Sequence, residues 1–325
     1  VSTARPPAGA ASGLAALPID LSHSPVLGIV GVILGAGIVT LMGRLIGLGL
    51  ADLKGNVGIG FDDGTWISSA YNVALMFIGP FSVYLGALLG PRRVLLVGAG
   101  LFSMIAAYLP VVHNYSLLIA LLAVAGLTSG TFYPLTLTFA LKSLPLRYLA
   151  LVIALYATFI EGAVNFAPSI YGFCRNELSW QWMFWIPAVL TPVMMTCIYF
   201  GIPQTPKPDS KKQPPSFVGF FYLSASFALL FAAVDQGERL DWWRSGTFTA
   251  LFAGGTFLLL FSFVRRLRSP NFLVDLPYLR QWNTILLSVA LFSFRFVLLA
   301  TILIIPQSLA LRGLDPQQYG PAVLW

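Results

Sequence analysis

The sequence predicts an all-α polytopic membrane protein, a bundle of hydrophobic helices crossing a bilayer. Three observations carry that reading. The 325 residues are 57% hydrophobic and only 10% charged, where soluble domains carry about 25% charged residues. Apolar runs long enough to span about 30 Å of hydrocarbon follow one another, separated by short charged or Pro/Gly-rich turns. Lysine and arginine sit almost wholly in those turns. The net charge of +7 is therefore topological, and no nucleic-acid partner is expected.

Residues 1–25 are rich in Ala, Pro, Gly and Ser and read as a disordered tail. The first span covers Val26–Leu50, with Gly31/Gly35 and Gly43/Gly47 at the small-xxx-small spacing that lets helices approach closely. Arg44 interrupts its final third. A polar link, Ala51–Asp63, precedes the second span, Thr65–Gly90, which ends in the turn Gly90-Pro91-Arg92-Arg93. The third span is Val94–Val112. The fourth, Leu117–Leu141, contains Gly126, Gly130 and Pro134. The fifth lies within Tyr148–Phe173, and the sixth opens on Trp180, Trp182 and Trp185, suited to a membrane interface, and closes near Pro203. These six make an N-terminal bundle over 26–203.

The Pro- and Lys-rich stretch 204–216 reads as a linker. Two further helices occupy 217–264, as Phe217–Val234 and Gly246–Val264, around the charged loop Asp235–Arg244. Residues 265–325 hold a basic loop, a ninth span over Asn283–Ala310 with Arg295 inside it, and the start of a tenth near Tyr319. The chain begins at Val1 and stops within an apolar run, so both ends read as cut, and residues 1–325 alone are not expected to transport. Counted by alternating sides, twelve Lys and Arg fall on the side of the tail and the 204–216 linker, against five on the other. That bias places the N-terminus in the cytoplasm of a cell whose inner membrane holds the protein. His23 and His113 are isolated, and Cys174 and Cys197 lie near opposite ends of consecutive spans. Neither a metal site, a disulfide nor a cofactor is expected.

The fifth span carries the chemistry. Glu161 is the acid at the centre of a hydrophobic run, and a carboxylate there costs about 2.5–3.5 kcal/mol on insertion scales. Ala154, Ala157, Thr158, Glu161, Asn165, Pro168 and Gly172 share one helical side, small and polar, while Leu151, Leu155, Phe159, Phe166 and Phe173 fall largely on the other. A helix so divided lines a path for something polar.

Several motifs then resemble one family. Ala167-Pro168-Ser-Ile-Tyr171-Gly172 is similar to the Gly-Pro-x-x-Gly-Gly antiporter motif of a fifth helix, with Ala and Tyr replacing two glycines. Trp180-Gln-Trp-Met-Phe184 is similar to the Trp-Arg-Trp-Ile-Phe opening of a sixth. Asp235-Gln-Gly237, Leu240-Asp-Trp242, Pro270-Asn-Phe-Leu-Val-Asp275 and Pro306-Gln307 resemble later segments of the same kind. Together they resemble the major facilitator superfamily, in its fourteen-span drug:proton antiporter branch (EmrB- and QacA-like).

The resemblance implies alternating access about a midplane site and export of amphipathic drug-like molecules in exchange for protons. It implies no enzyme activity, and it admits a periplasmic adaptor protein as partner. Glu161, Asn165, Arg44 and Arg295 would bind protons or substrate, with the arginines tuning Glu161 or meeting anionic groups. The resemblance makes the first and fifth helices neighbours, so Arg44, a few turns outward in depth, reaches Glu161 if Glu161 points outward. Ala167, Pro168, Tyr171 and Gly172, with Gly90, Arg92 and Arg93, would form gating motifs.

Departures from the pattern point the other way. Ala87 stands where the family's loop has aspartate, Leu122 and Ala125 replace the fourth-helix arginine and glutamine, and Met42 lies where the first-helix aspartate would be. A transporter-derived sensor or scaffold, or an exporter of an endogenous metabolite, is the alternative. An intramembrane enzyme is disfavoured, because no second acid or histidine joins Glu161 in a span.

Overall fold

The computed structural model describes residues 25–143, 146–202, 217–268, 281–299, 304–314 and 316–323. Among these the chain is helical throughout, without strands. Residues 1–24 of the tail, the whole 204–216 linker and the Pro270–Asp275 motif lie outside the described residues. Eight helices are long and apolar enough to cross a membrane, and the protein is a multi-pass membrane protein.

Helix α1 (Pro25–Leu48) runs through the middle of the first six spans and packs most extensively on α8 (Trp182–Gly201). The seam is made by glycines. A Cβ at Gly31 would lie 3.0 Å from Ile198 and one at Gly35 3.0 Å from the Met194 sulfur. At Gly201 a Cβ would meet the Gly28 nitrogen at 2.0 Å, so backbone touches backbone where the two helices cross. Without a hydrophobic drive in lipid, such close approach supplies the dispersion contact that holds helices together.

The first span does not run on to Leu50. It ends at Leu48, and the expected link contains a short helix α2 (Leu50–Val57) with Leu53 buried and Gly58 at φ 70° terminating it. Helix α3 (Phe61–Leu89) contains Pro80 and gives way to α4 (Pro91–Tyr108) through Gly90, at φ 87°, with Pro91 in the first helical position. A 3₁₀ turn, Leu109–Val111, leads on to the next span, and Asn114 caps it by accepting a hydrogen bond from the Leu117 amide at 3.2 Å.

That fourth span is broken, where the sequence predicts one helix. It consists of α5 (Tyr115–Ser129) and α6 (Phe132–Ser143), parted at Gly130-Thr131. Pro134 has no N–H to offer the Gly130 carbonyl, which lies one helical turn before it. Gly126 and Gly130 meanwhile press α5 onto the α3 backbone, where their Cβ atoms would meet the Tyr71 and Leu75 carbonyl oxygens at 2.2 and 3.0 Å.

Helix α7 (Leu146–Phe173) packs beside α1 and passes into a π-type turn, Cys174–Leu178. Beyond the linker, α9 (Phe217–Asp235) and α10 (Gly246–Arg268) form a hairpin seated on α3 through α9. Aromatic contacts make one end of that seat: Phe77 to Phe221 (5.7 Å), Phe81 to Phe217 (5.6 Å) and Tyr84 to Phe220 (5.5 Å). A polar clamp makes the other. The Ser69 hydroxyl donates to Asp235 and accepts from Gln236. Gln236 accepts in turn from Thr65 at 3.3 Å and from Arg239 at 2.8 Å.

Within the expected ninth span lie α11 (Trp282–Leu299), shorter than the eight long helices, and α12 (Ile305–Leu311), and helix α13 (Pro316–Val323) falls where the tenth is expected to start. α13 lies against α7; a Cβ on Gly320 would fall 2.8 Å from the Ser169 backbone.

Candidate functional site

Helix α7 carries two polar clusters, one at its middle and one at its Phe173 end. Ten residues separate Glu161 from Tyr171, about 15 Å along the axis.

At the middle, Glu161 pairs with Arg295 of α11, Oε1 to Nη1 at 3.1 Å. This contact crosses from the first six spans to the ninth, and α11 otherwise touches the bundle lightly. Tyr133, beside the α5–α6 break, lies within electrostatic reach of both charges and shares a short hydrogen bond with Thr40 of α1. Tyr156 lies within electrostatic reach of the Thr136 hydroxyl. The break beside Pro134 thus presents hydroxyls from α6 to the polar side of α7. Asn165 continues that side one turn further on, half-buried.

At the far end, Tyr171 donates a short hydrogen bond to Asp52 of α2, and the Arg175 Nε stands 3.9 Å from the same carboxylate. Tyr319 of α13 is 5% exposed and within electrostatic reach of both Tyr171 and Arg44. Arg44 is thus set beside Tyr319. It belongs to this end cluster, and the ion partner of Glu161 is Arg295. Arg44 lies one turn from the end of α1, beyond Gly37, which faces the Phe159 ring of α7.

Cover over the polar stripe is uneven. Ala167, Pro168, Tyr171 and Gly172 are buried, whereas Ala154, Ala157 and Thr158 are exposed. The Phe173 end is where α13 packs, and the Leu146 half is exposed. The bulky side behaves as expected in part: Leu151, Leu155, Phe166 and Phe173 are exposed, but the Phe159 ring also rests on α1 where Gly37 leaves room.

The second predicted motif divides. Arg92 is buried and donates to the Tyr199 carbonyl at 2.8 Å, its guanidinium 4.7 Å from the Tyr199 ring centre. That carbonyl is one of the last of α8, without an intrahelical partner, so a cation there is doubly favoured. Arg93 is exposed. Leu122, Ala125 and Met42 are fully buried apolar side chains.

Asp52, Tyr133, Thr40 and Tyr319 were not legible as site residues. The opposite charges of Asp52 and Arg175 at the same end of their spans were the one available signal.

A multi-pass helical bundle whose fifth span carries a half-buried acid paired to an arginine of a later helix is an architecture that membrane carriers use. The sequence profile of the Major Facilitator Superfamily matches residues 29–314. The chain belongs to that superfamily. Among curated relatives it is similar to the multidrug export protein EmrB of Haemophilus influenzae, 24% identical over 71% of this chain and 45% of that one. It is also similar to EmrB of Escherichia coli strain K12 (22% identical, 84% and 52% covered) and to the fatty acid resistance protein FarB of Neisseria gonorrhoeae (23%, 78% and 50%). The chain spans about half the length of these relatives. The fold is also that of an auto-inhibited POT-family peptide transporter, with TM-score 0.51 and 14% identity, over 72% of this chain and 51% of that one.

Proposed function

We propose that the protein is a secondary transporter that exports amphipathic, drug-like organic molecules in exchange for protons by alternating access. The observation that carries this reading is the Glu161–Arg295 pair, 3.1 Å apart, which joins α7 to α11 at mid-span on a stripe exposed along its Leu146 half and covered near Phe173 by α13. Alternating access needs a central site shared between two halves that rock about it. An ion pair across that divide must break or re-form as they move. Glu161 takes the proton when the pair opens, since a carboxylate left without a cation in an apolar setting is neutralised at least cost by protonation.

Asn165 and Arg295 contact substrate. Arg44, with Tyr319, Tyr171 and Asp52, holds the closed end, and Pro168 and Gly172 let α7 bend there. Gly90, Arg92 and Arg93 hold the turn between α3 and α4, with Arg92 tying it to α8. The positive-charge bias places the N-terminus and the 204–216 linker in the cytoplasm, and the Asp52–Tyr171 end outside. Residues 26–203 act as one bundle, 217–264 as a linking hairpin, and 265–325 begin the second bundle. A periplasmic adaptor completes the export path.

The test is proton-gradient-driven efflux of a lipophilic dye by the full-length protein in inverted membrane vesicles. Glu161→Gln should leave folding intact and abolish gradient-driven efflux. Normal driven efflux by that variant would refute the role of Glu161. A second reading, a sensor or scaffold that does not transport, is favoured by buried Leu122, Ala125 and Met42 at the family's coupling positions. Absence of any driven efflux from the native protein would select it.

A further inference from the structure

We infer that the loop joining α9 to α10 binds a zwitterionic phospholipid headgroup, with Arg244 holding the phosphate and Asp241 the primary ammonium of phosphoethanolamine. The site lies apart from the proposed transport path, which leaves the Leu240-Asp-Trp242 motif unused.

The loop sits at the membrane–water boundary. α9 ends at Asp235 and α10 begins at Gly246, and both helices are long and apolar enough to cross a membrane. Trp242 and Trp243 are exposed between them, 43% and 66%, and tryptophan favours the headgroup layer, where its ring is apolar and its N–H wet. Lipid headgroups are therefore the ligands most concentrated beside this loop.

Charge fixes the class of headgroup. Asp241, Trp242, Trp243 and Arg244 line one open hollow of about 370 Å³. Asp241 and Arg244 are exposed, and among the described residues neither side chain makes a hydrogen bond or an ion pair. The neighbouring charges are committed: Glu238 accepts from Trp242 Nε1 at 3.1 Å, and Arg239 donates to Gln236 and lies 5.5 Å from the Trp66 ring centre. One carboxylate and one guanidinium, held apart around a single hollow, complement a ligand that carries one cation and one anion. The guanidinium fork suits a phosphate. The carboxylate only accepts hydrogen bonds, so it suits an ammonium bearing N–H donors, which ethanolamine has and choline lacks. A choline cage would need converging aromatic faces. Among the described residues the two tryptophan rings pack on Phe248, at 5.6 and 5.0 Å, and not on each other. An anionic headgroup would meet Asp241 as well as Arg244 and be repelled.

The hollow's shape is fixed by its own packing. Trp242 stands at φ 49° and Asp241 at φ 55°, a region bulky side chains rarely enter. The Trp242 amide donates to the Gly237 carbonyl at 2.9 Å, and its ring rests on Gly237, where a Cβ would fall 2.7 Å from it. Asp235 and Gln236, just before the loop, are hydrogen-bonded to Ser69 of α3. A headgroup bound here steadies the hairpin on the bundle.

The experiment titrates the purified full-length protein in neutral detergent with dioctanoyl phosphatidylethanolamine, phosphatidylcholine and phosphatidylglycerol, counting bound lipid by native mass spectrometry. Phosphatidylethanolamine should bind about fivefold tighter than either of the others, the upper range for an exposed ion pair, and should raise the melting temperature most. Asp241→Asn, which tolerates the same positive φ, should remove that preference and leave phosphatidylglycerol binding unchanged or tighter. Arg244→Gln should weaken both phosphatidylethanolamine and phosphatidylglycerol. Both side chains are exposed and unpaired, so the variants should melt as the native protein does before lipid is added. Equal binding of the three lipids, the result for tryptophans that act as plain interface anchors, would overturn the inference. So would tighter binding of phosphatidylcholine, or an unchanged ethanolamine preference in Asp241→Asn. Soluble phosphoethanolamine is the last arm: binding as tight as that of the lipid would overturn the assignment to a membrane headgroup.

Discussion

Gly201→Ala tests whether the bundle is held by backbone contact between α1 and α8. The added Cβ would lie 2.0 Å from the Gly28 nitrogen, 2.5 Å from its Cα and 2.6 Å from the Leu27 carbonyl carbon. All three are backbone atoms, so no side-chain rotation relieves the overlap. Restoring ordinary van der Waals separation moves the helices apart by more than 1 Å at the crossing, and a gap of about 0.5–1 Å already forfeits a quarter to a half of each contact's attraction. Gly31 and Gly35 lie on the same seam and lose contact with it. Overpacking of this kind costs about 1–3 kcal/mol, against a gain of about 1 kcal/mol from replacing a helical glycine by alanine. The net is destabilisation. Gly47→Ala, on the same α1 with nothing within 4 Å of the new Cβ, is the matched control and should be neutral or stabilising. The assay is thermal unfolding of a detergent-solubilised fluorescent-protein fusion by size-exclusion chromatography. Gly201→Ala should melt several degrees below both the native protein and Gly47→Ala. Melting at or above the native temperature would refute the idea that this crossing needs a residue without a side chain.

Further outcomes follow from the two ends of the bundle. Asp52→Ala releases Tyr171 and Arg175, which flank fully buried Cys174, so a membrane-impermeant maleimide should label Cys174 several-fold faster in a Cys197→Ser background; unchanged labelling would show that Asp52 does not hold that end. Arg92→Ala removes both the bond to the Tyr199 carbonyl and the stacking on its ring, costing about 1–3 kcal/mol; Arg92→Lys should recover only part, since lysine lacks the planar fork, and full recovery would reduce Arg92 to a point charge. A reporter inserted within 204–216 should be cytoplasmic and one within 235–244 external, and reversed labelling would overturn the proposed orientation.

What the sequence by itself determined is what depends on one helix at a time. Apolar runs too long for a soluble core dictate a membrane bundle, and the length of each run sets its span. The small polar stripe of α7 follows from helical period alone, and Glu161 is conspicuous because an acid at that depth costs so much. The motifs around Pro168, Trp180 and Asp235 placed the chain in its superfamily. Local backbone chemistry carried further than it was read, since Pro134 already implies the break in the fourth span.

Tertiary structure alone decided who meets whom. Periodicity assigns a residue to a face of its own helix but not the depth or rotation of a neighbouring helix, so Arg44 was the expected neighbour of Glu161 and the partner of Arg295 was left open. Register between helices chose Arg295, and it carried Arg44 to Tyr319 and the closed end. The same limit hid Asp52, whose role exists only because α2 folds back over the end of α7. Arg92 reads as a surface anchor until α8 brings its last carbonyls within 2.8 Å. Pair energies between helices depend on separations of a few ångströms, and those distances are set by how glycine seams such as Gly28–Gly201 lock, a property of two helices that neither encodes alone.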